Sequence, residues 1–190
     1  MRQPFLIGKQ VYVRGVECAD LPAMIEWVND HDATKYMFTG DRPALLERLQ
    51  ERWEAERESH NTIPFAVCTK NDDTFVGTTG LYEIQWIMRT AEFRIFLGAK
   101  NHWNRGIGTE CARLMLVYAF DKLNLNRVQL GVNAANEGAV RSYEKSGFLR
   151  EGVLREEQYR NFRYYDVIRM AMLRREYETL RDQILEAIQP

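Results

Sequence analysis

Apolar positions along the chain recur with two spacings, one of alternate residues and one of three to four, and the switches between them divide it into elements. Val11-Tyr12-Val13 alternates as a first strand, and Asp20 stands where a cap belongs before a helix with Leu21, Met24, Ile25 and Val28 on one face. That helix fades into Asn29–Asp32, where His31 reads as a solvated helix-end residue sooner than as a base. Tyr36-Met37-Phe38 then places three bulky apolar residues in a loop, either anchoring the next helix or lining a pocket. A second helix is expected from near Asp41-Arg42-Pro43, with Leu45, Leu49 and Trp53 at fourfold spacing. Ile63–Cys68 and Phe75–Glu83, separated by Asn71-Asp72-Asp73, form a hairpin pattern. A turn over Gln85–Arg89 leads into a strand with Phe93, Ile95 and Leu97 on one face and Glu92, Arg94 and Phe96 on the other.

The second half alternates differently. Ile107, Cys111, Leu114, Met115 and Tyr118 mark a helix, and Val128, Leu130 and Val132 a strand over Arg127–Val132 that is expected to return parallel. Ala139 and Tyr143 sit one turn apart on a short helix stopped by Gly147, and Phe148–Leu154 with Tyr164–Met172 suggest a closing hairpin. Its Asn161-Phe162 turn lacks the glycine that would make the connection tight. Tyr177, Leu180, Ile184 and Ile188 form an apolar stripe on a terminal helix that should dock on the domain or on a second copy. The pattern is α+β: an antiparallel meander feeding a helix, with residues 1–175 one domain and 176–190 a helical extension.

Chemistry concentrates where the fourth long strand meets the helix. Asn104-Arg105-Gly106-Ile107-Gly108-Thr109 joins them, and two glycines at a helix start let unpaired N–H groups converge where the helix dipole is positive. That is an anion cradle, suited to a pyrophosphate. It lacks the third glycine of a dinucleotide fingerprint and the Gly-Lys-Ser/Thr of a P-loop. A net charge of −1 and a pI near 6.3 give no footprint for nucleic acid or an anionic membrane. Cys18, Cys68 and Cys111 have no metal-ligand spacing and read as free thiols of a reducing cytoplasm. No metal is called for, and no long uncharged apolar run suggests membrane insertion.

The glycine turn resembles the acyl-CoA-binding motif of the GNAT N-acetyltransferases, usually Gln/Arg-x-x-Gly-x-Gly/Ala, with Trp103 where the Gln or Arg is expected and Arg105 able to supply the charge. Asn133-x-x-Asn136, followed by Ala139, Tyr143 and Gly147-Phe148, is similar to the family's later segment, and the two motifs stand in the family's order. The resemblance runs from Val11 to about Tyr177 and is nearest the bacterial branch acting on protein N-termini, polyamines and amino sugars.

It implies a twisted, mostly antiparallel mixed sheet of about seven strands flanked by helices, splayed between its fourth (Ala91–Gly98) and fifth (Arg127–Val132) strands. Acetyl-CoA would lie in the splay, held by Phe96, Leu97, Arg105, Gly106, Ile107, Gly108, Thr109, Asn133 and Asn136. Tyr143 would protonate the departing thiolate. Glu92 would be the base, with Glu83 as runner-up and an ion pair to Arg94 as the competing role of Glu92. Tyr36, Phe38, Glu83 and Trp86 would face the acceptor. A polyamine acceptor needs spaced acidic groups, for which the acceptor loops offer Asp41, Glu83 and Asp32. The implied activity is acetyl transfer to a primary amine in a ternary complex, the acceptor a protein N-terminal amine or a small polyamine. Amino-sugar or aminoglycoside acetylation and non-catalytic acyl-CoA binding are the alternatives, and a cytoplasmic homodimer is compatible with all.

Overall fold

The computed structural model describes residues 3–40 and 42–189. Along the chain come β1 (Leu6–Ile7), β2 (Val11–Gly15), α1 (Leu21–Asn29), α2 (Leu46–Glu58), β3 (Ile63–Thr69), β4 (Phe75–Gln85) and β5 (Thr90–Leu97). Then follow α3 (Ile107–Val117), β6 (Arg127–Asn133), α4 (Glu137–Lys145), β7 (Leu149–Arg160), β8 (Arg163–Leu173) and α5 (Arg174–Ile188). All eight strands join one sheet in the order β1-β2-β3-β4-β5-β6-β8-β7, antiparallel except for the β5–β6 pair. The strand beyond the expected seven is β1, whose two residues are too few to show a period; it is defined by its pairing with β2.

Local differences from the sequence expectation each have a physical cause. Asp20 does not cap α1: its carboxylate takes both Arg14 guanidinium nitrogens at 2.8 Å and the Glu17 N–H, because a buried charge needs a partner more than a helix needs a cap. The second helix begins at Leu46 and not near Pro43. Leu45 is extended, and the Asn29 side chain pins Ala44 through both its N–H (2.8 Å) and its carbonyl (3.1 Å). Asp41 lies outside the described residues. The β7–β8 hairpin is longer than expected and closes in a two-residue turn with Arg160 paired to Arg163. Asn161 (φ 50°) and Phe162 (φ 62°) both adopt the left-handed backbone that glycine would supply without strain.

The core lies between one face of the sheet and helices α3 and α5. Its largest side chains include Phe120, Met115, Leu116, Leu130, Phe148, Met170 and Met172. The α5 stripe docks on this same core: Tyr177 is fully buried and stacks on Phe120 at 4.7 Å, with Ile184 and Ile188 buried behind it. Cys68 and Cys111 are buried and Cys18 is exposed, all three as free thiols.

The feature that positions the site is an unfinished pairing. β5 and β6 pair only at Thr90–Arg127, Ala91–Val128 and Glu92–Gln129, while β5 runs on to Leu97 and β6 to Asn133. Each stays bound to its outer neighbour, β5 to β4 as far as Leu97 and β6 to β8 as far as Asn133. The strands therefore diverge as a V, and the inner-edge backbone groups of Phe93–Leu97 and Leu130–Asn133 have no strand partner.

Candidate active site

The V opens into a cleft of about 860 Å³ bounded by β5, the glycine turn, α4 and the loop between α1 and α2. On the α3 side the backbone reverses at Asn104 (φ 58°) and again at Gly106 (φ 83°), the N-cap. Gly106 accepts from Glu110 N–H at 3.0 Å, which leaves Ile107, Gly108 and Thr109 as the first-turn donors without a helical acceptor. A Cβ on Gly108 would meet nothing closer than Ser142 Oγ at 3.6 Å and Leu97 Cδ1 at 4.0 Å, so the protein tolerates it and only a ligand would object. Trp103, the departure from the family motif, donates its indole N–H to Leu97 O at 2.8 Å and so ties the turn to the end of β5. From behind, the buried Glu110 carboxylate accepts from Gln10 N (2.8 Å), Val11 N (3.1 Å) and Gln10 Nε2 (3.2 Å), joining α3 to the β1–β2 turn.

The opposite wall is α4, capped by Asn136 Oδ1 accepting from Ala139 N at 3.2 Å. Ala139, Ser142 and Lys145 line the cleft at helical spacing, and Ser142 Oγ meets Thr109 Oγ1 at 2.8 Å, fastening α4 to α3. Tyr143 also lines the cleft. Its ring packs edge-on against Phe93 (5.9 Å) and Phe148 (6.1 Å), and burial pushes its phenol up to about 12. No protein group engages its hydroxyl among the described residues.

The cleft carries cations for an anionic ligand. Lys35, Lys100, Arg141 and Lys145 outnumber Asp32 and Glu137 along its lining. Lys100 is held by Asp30 (2.6 Å) and Asp32 (3.7 Å) and Arg141 by Glu137 (3.1 Å). Lys145, and Arg105 on the exposed turn, have no ion pair among the described residues. Diverging strand edges, free first-turn N–H groups and these cations fit the amides, pyrophosphate and phosphate of a CoA ester.

Of the residues expected at the cofactor, Phe96, Leu97, Gly106, Ile107, Gly108, Thr109 and Asn136 line the cleft, and Arg105 sits between two residues that do. Asn133 does not line it: its amide is buried, accepting from Ala135 N (2.9 Å) and donating to Gln158 Oε1 (2.7 Å). On the acceptor side Tyr36 lines the cleft with Asp32 and Met37, whereas Phe38, Glu83 and Trp86 do not. Trp86 donates to His60 O at 3.0 Å and Glu83 binds Arg94 at 2.5 Å. Glu92 lies at the closed end of the V, and its carboxylate is taken by Arg94 at 3.0 and 3.2 Å. Lys35, Lys100 and His102 line the cleft beyond the residues the sequence pointed to; the Gly138-Ala139-Ser142-Lys145 spacing is a readable signal for the α4 wall, whereas nothing in the chain order brings the 32–37 loop to face it.

Residues 10–149 match the family model described as an acetyltransferase (GNAT) domain. The chain belongs to the GNAT acetyltransferase family. Within that family it is 33% identical over 173 residues to a spermidine N(1)-acetyltransferase of Vibrio cholerae, spanning 90% of this chain and 97% of the relative. A crystal structure of spermidine N-acetyltransferase from that organism, in complex with CoA and spermine, superposes with a TM-score of 0.82 at 32% identity over 89% of this chain and 98% of the other. A dodecameric structure of the Vibrio cholerae enzyme superposes at 0.76 and 31% identity, covering 88% and 96%. GNAT membership accounts for the V between β5 and β6 and makes acetyl-CoA the cosubstrate. Among the described residues no helix is long and apolar enough to cross a membrane, and no cluster of His, Cys, Asp or Glu could hold a metal.

Proposed function

We propose that the protein transfers the acetyl group of acetyl-CoA to a primary amine of a short polyamine by direct attack in a ternary complex. The observation that carries the reading is the V-shaped gap between β5 and β6, with the first-turn N–H groups of α3 at its mouth and the unengaged Tyr143 hydroxyl in its wall. In this reading the N–H groups of Ile107, Gly108 and Thr109 bind the pyrophosphate, with Lys145 and Arg105 adding charge, and the inner edges of β5 and β6 take the pantetheine amides. Asn136 acts by holding the start of α4. Tyr143 donates its proton in a hydrogen bond to the departing sulfur.

The acceptor must lose a proton before it attacks. For an alkylammonium of pKa about 10.4, being neutral at pH 7 costs about 4.6 kcal/mol, so the site needs a proton outlet. Glu92 is poorly placed for that role, because both its oxygens are committed to Arg94; solvent at the open cleft is the simpler outlet. The polyamine acceptor is supported by the length-spanning Vibrio cholerae relative and by Asp30 and Asp32 beside the acceptor loop, where they already hold one ammonium, that of Lys100. We place the reaction in the cytoplasm, whose acetyl-CoA pool would supply it. Self-association as a homodimer or a multiple of it accords with Leu149, Val153 and Leu154 exposed on the outer strand β7.

The test is thiol release from acetyl-CoA with polyamines, aminoglycosides, amino sugars and short peptides as acceptors. Turnover with spermidine or spermine well above the others is expected. No turnover with any amine, while CoA still binds, would replace the reading by non-catalytic acyl-CoA binding.

A further inference from the structure

The acceptor loop is held both by its own turns and by a neighbouring hairpin. Between Asp30 and Phe38 it makes successive tight turns, with Thr34 N–H bonded to Asp30 O (3.0 Å), Lys35 N–H to Asp32 O (3.4 Å) and Met37 N–H to Thr34 O (2.9 Å). Residues three apart in such turns share a side. Here the side chains of His31 and Thr34 and the carbonyl of Met37 meet the tip of the β7–β8 hairpin, while Asp32, Ala33, Lys35, Tyr36 and Met37 line the cleft. The contacts run in order: His31 Nε2 with Asn161 Oδ1 at 2.8 Å, Arg160 Nη2 donating to Thr34 Oγ1 at 3.0 Å, and Gln158 Nε2 donating to Met37 O at 2.6 Å.

Gln158 is the inner member of this clamp. It is 4% exposed, and it uses both ends of its amide: Oε1 accepts from Asn133 Nδ2 while Nε2 holds Met37 O. Asn133 is the last residue of β6, the strand that forms one arm of the V. A single buried side chain therefore spans the distance from the arm of the V to the loop that faces the acceptor. Burying two side-chain amides costs several kcal/mol unless each is bonded, and a fully bonded buried network admits one geometry. An apolar residue at 158 would leave Asn133 Nδ2 and Met37 O without partners.

Resting on the acetyltransferase reading above, we infer that Gln158 is a positioning residue that sets the acceptor wall, Tyr36 and Met37, at its distance from the V. It touches neither substrate directly. Its effect should fall on the amine far more than on the CoA ester, because Met37 O loses its bond to Gln158, whereas Asn133 at the end of β6 stays held by its pairing with Val167 and by Ala135 N.

The experiment uses the full chain. Wild-type turnover with spermidine is measured first, and its absence would undo the functional reading without bearing on the clamp. Gln158→Met keeps the length and volume and removes both hydrogen bonds. The amine KM should rise about tenfold or more while the CoA Kd from calorimetry stays within about twofold, since loss of one buried hydrogen-bonded link is worth about a tenfold change. Amide exchange should accelerate at Thr34 and Met37 and remain unchanged in β5, which reads the clamp even if no amine is acetylated. If Gln158→Met does not fold, Thr34→Val, which removes the neighbouring link to Arg160 together with the hydroxyl's own bond to Asp30 O, should give the same split at about threefold. An unchanged amine KM in a folded variant, or equal shifts in amine KM and CoA Kd, would overturn the inference.

Discussion

Replacing Tyr143 by Phe removes one oxygen from the cleft wall and leaves the ring seated on Phe93 and Phe148. Because no protein group among the described residues bonds that hydroxyl, the fold should not register the change, and the melting temperature should move by no more than about 1 °C. The catalytic cost follows from the phenol's pKa. Held at about 12 by burial, it lies roughly 3.5 units above a departing thiolate near 8.5, so complete proton transfer is uphill by about 5 kcal/mol. Tyr143 can then help chiefly by a hydrogen bond to developing negative charge, worth about 1.5–3 kcal/mol, or about 10- to 200-fold in rate. We expect kcat to fall about 10²-fold in Tyr143→Phe, with the CoA Kd unchanged, measured by thiol release under conditions where chemistry limits the rate. The pH dependence has a definite sign. A phenol raised to about 12 keeps its proton as pH rises from 8 to 10, so wild-type kcat should not decline over that range on its account. Near-wild-type kcat in the folded variant would refute the acid role. An alkaline decline centred near 10 in the wild type and absent in Tyr143→Phe would refute the raised pKa.

Gly108→Val should weaken CoA binding at least about tenfold by calorimetry with little change in melting temperature, because the protein leaves room for a side chain there and the ligand would not. Glu92→Gln should lower turnover by less than about tenfold and evenly from pH 7 to 9.5, as expected for a partner of Arg94; a loss concentrated at low pH would restore it as the base. Truncation after Arg175 removes Tyr177, Ile184 and Ile188 from the core, about 1.5–3 kcal/mol each, and should leave a protein that melts more than about 10 °C lower or does not fold by circular dichroism. Phe162→Gly relieves a left-handed backbone at an exposed turn residue and should raise the melting temperature by about 2–4 °C, for a gain near 1 kcal/mol.

Much of this molecule is local and so was legible in the residue order. The alternation at Phe93-Ile95-Leu97 and the glycines at 106 and 108 specify a strand, a turn and a helix start through neighbours within a few residues, and the structure has all three in register. The Asn136 cap and the Gly147 stop of α4 are equally short-range. What the order could not decide was which distant groups would meet. Glu92 and Arg94 are two apart on one strand face, so their ion pair was readable from the order; that Glu83 of β4 reaches the same guanidinium is set by the pairing of β4 with β5. The Asn133 amide turns to Gln158, 25 residues later on β7, two strands away in the sheet order β6-β8-β7, a meeting that no local pattern announces. Gln158 itself sits in a polar stretch with no motif, and its partner Met37 lies 121 residues away. Hydrophobic period, turn chemistry and capping act through the next few residues, whereas burial of a polar group is decided by whatever the whole sheet places over it.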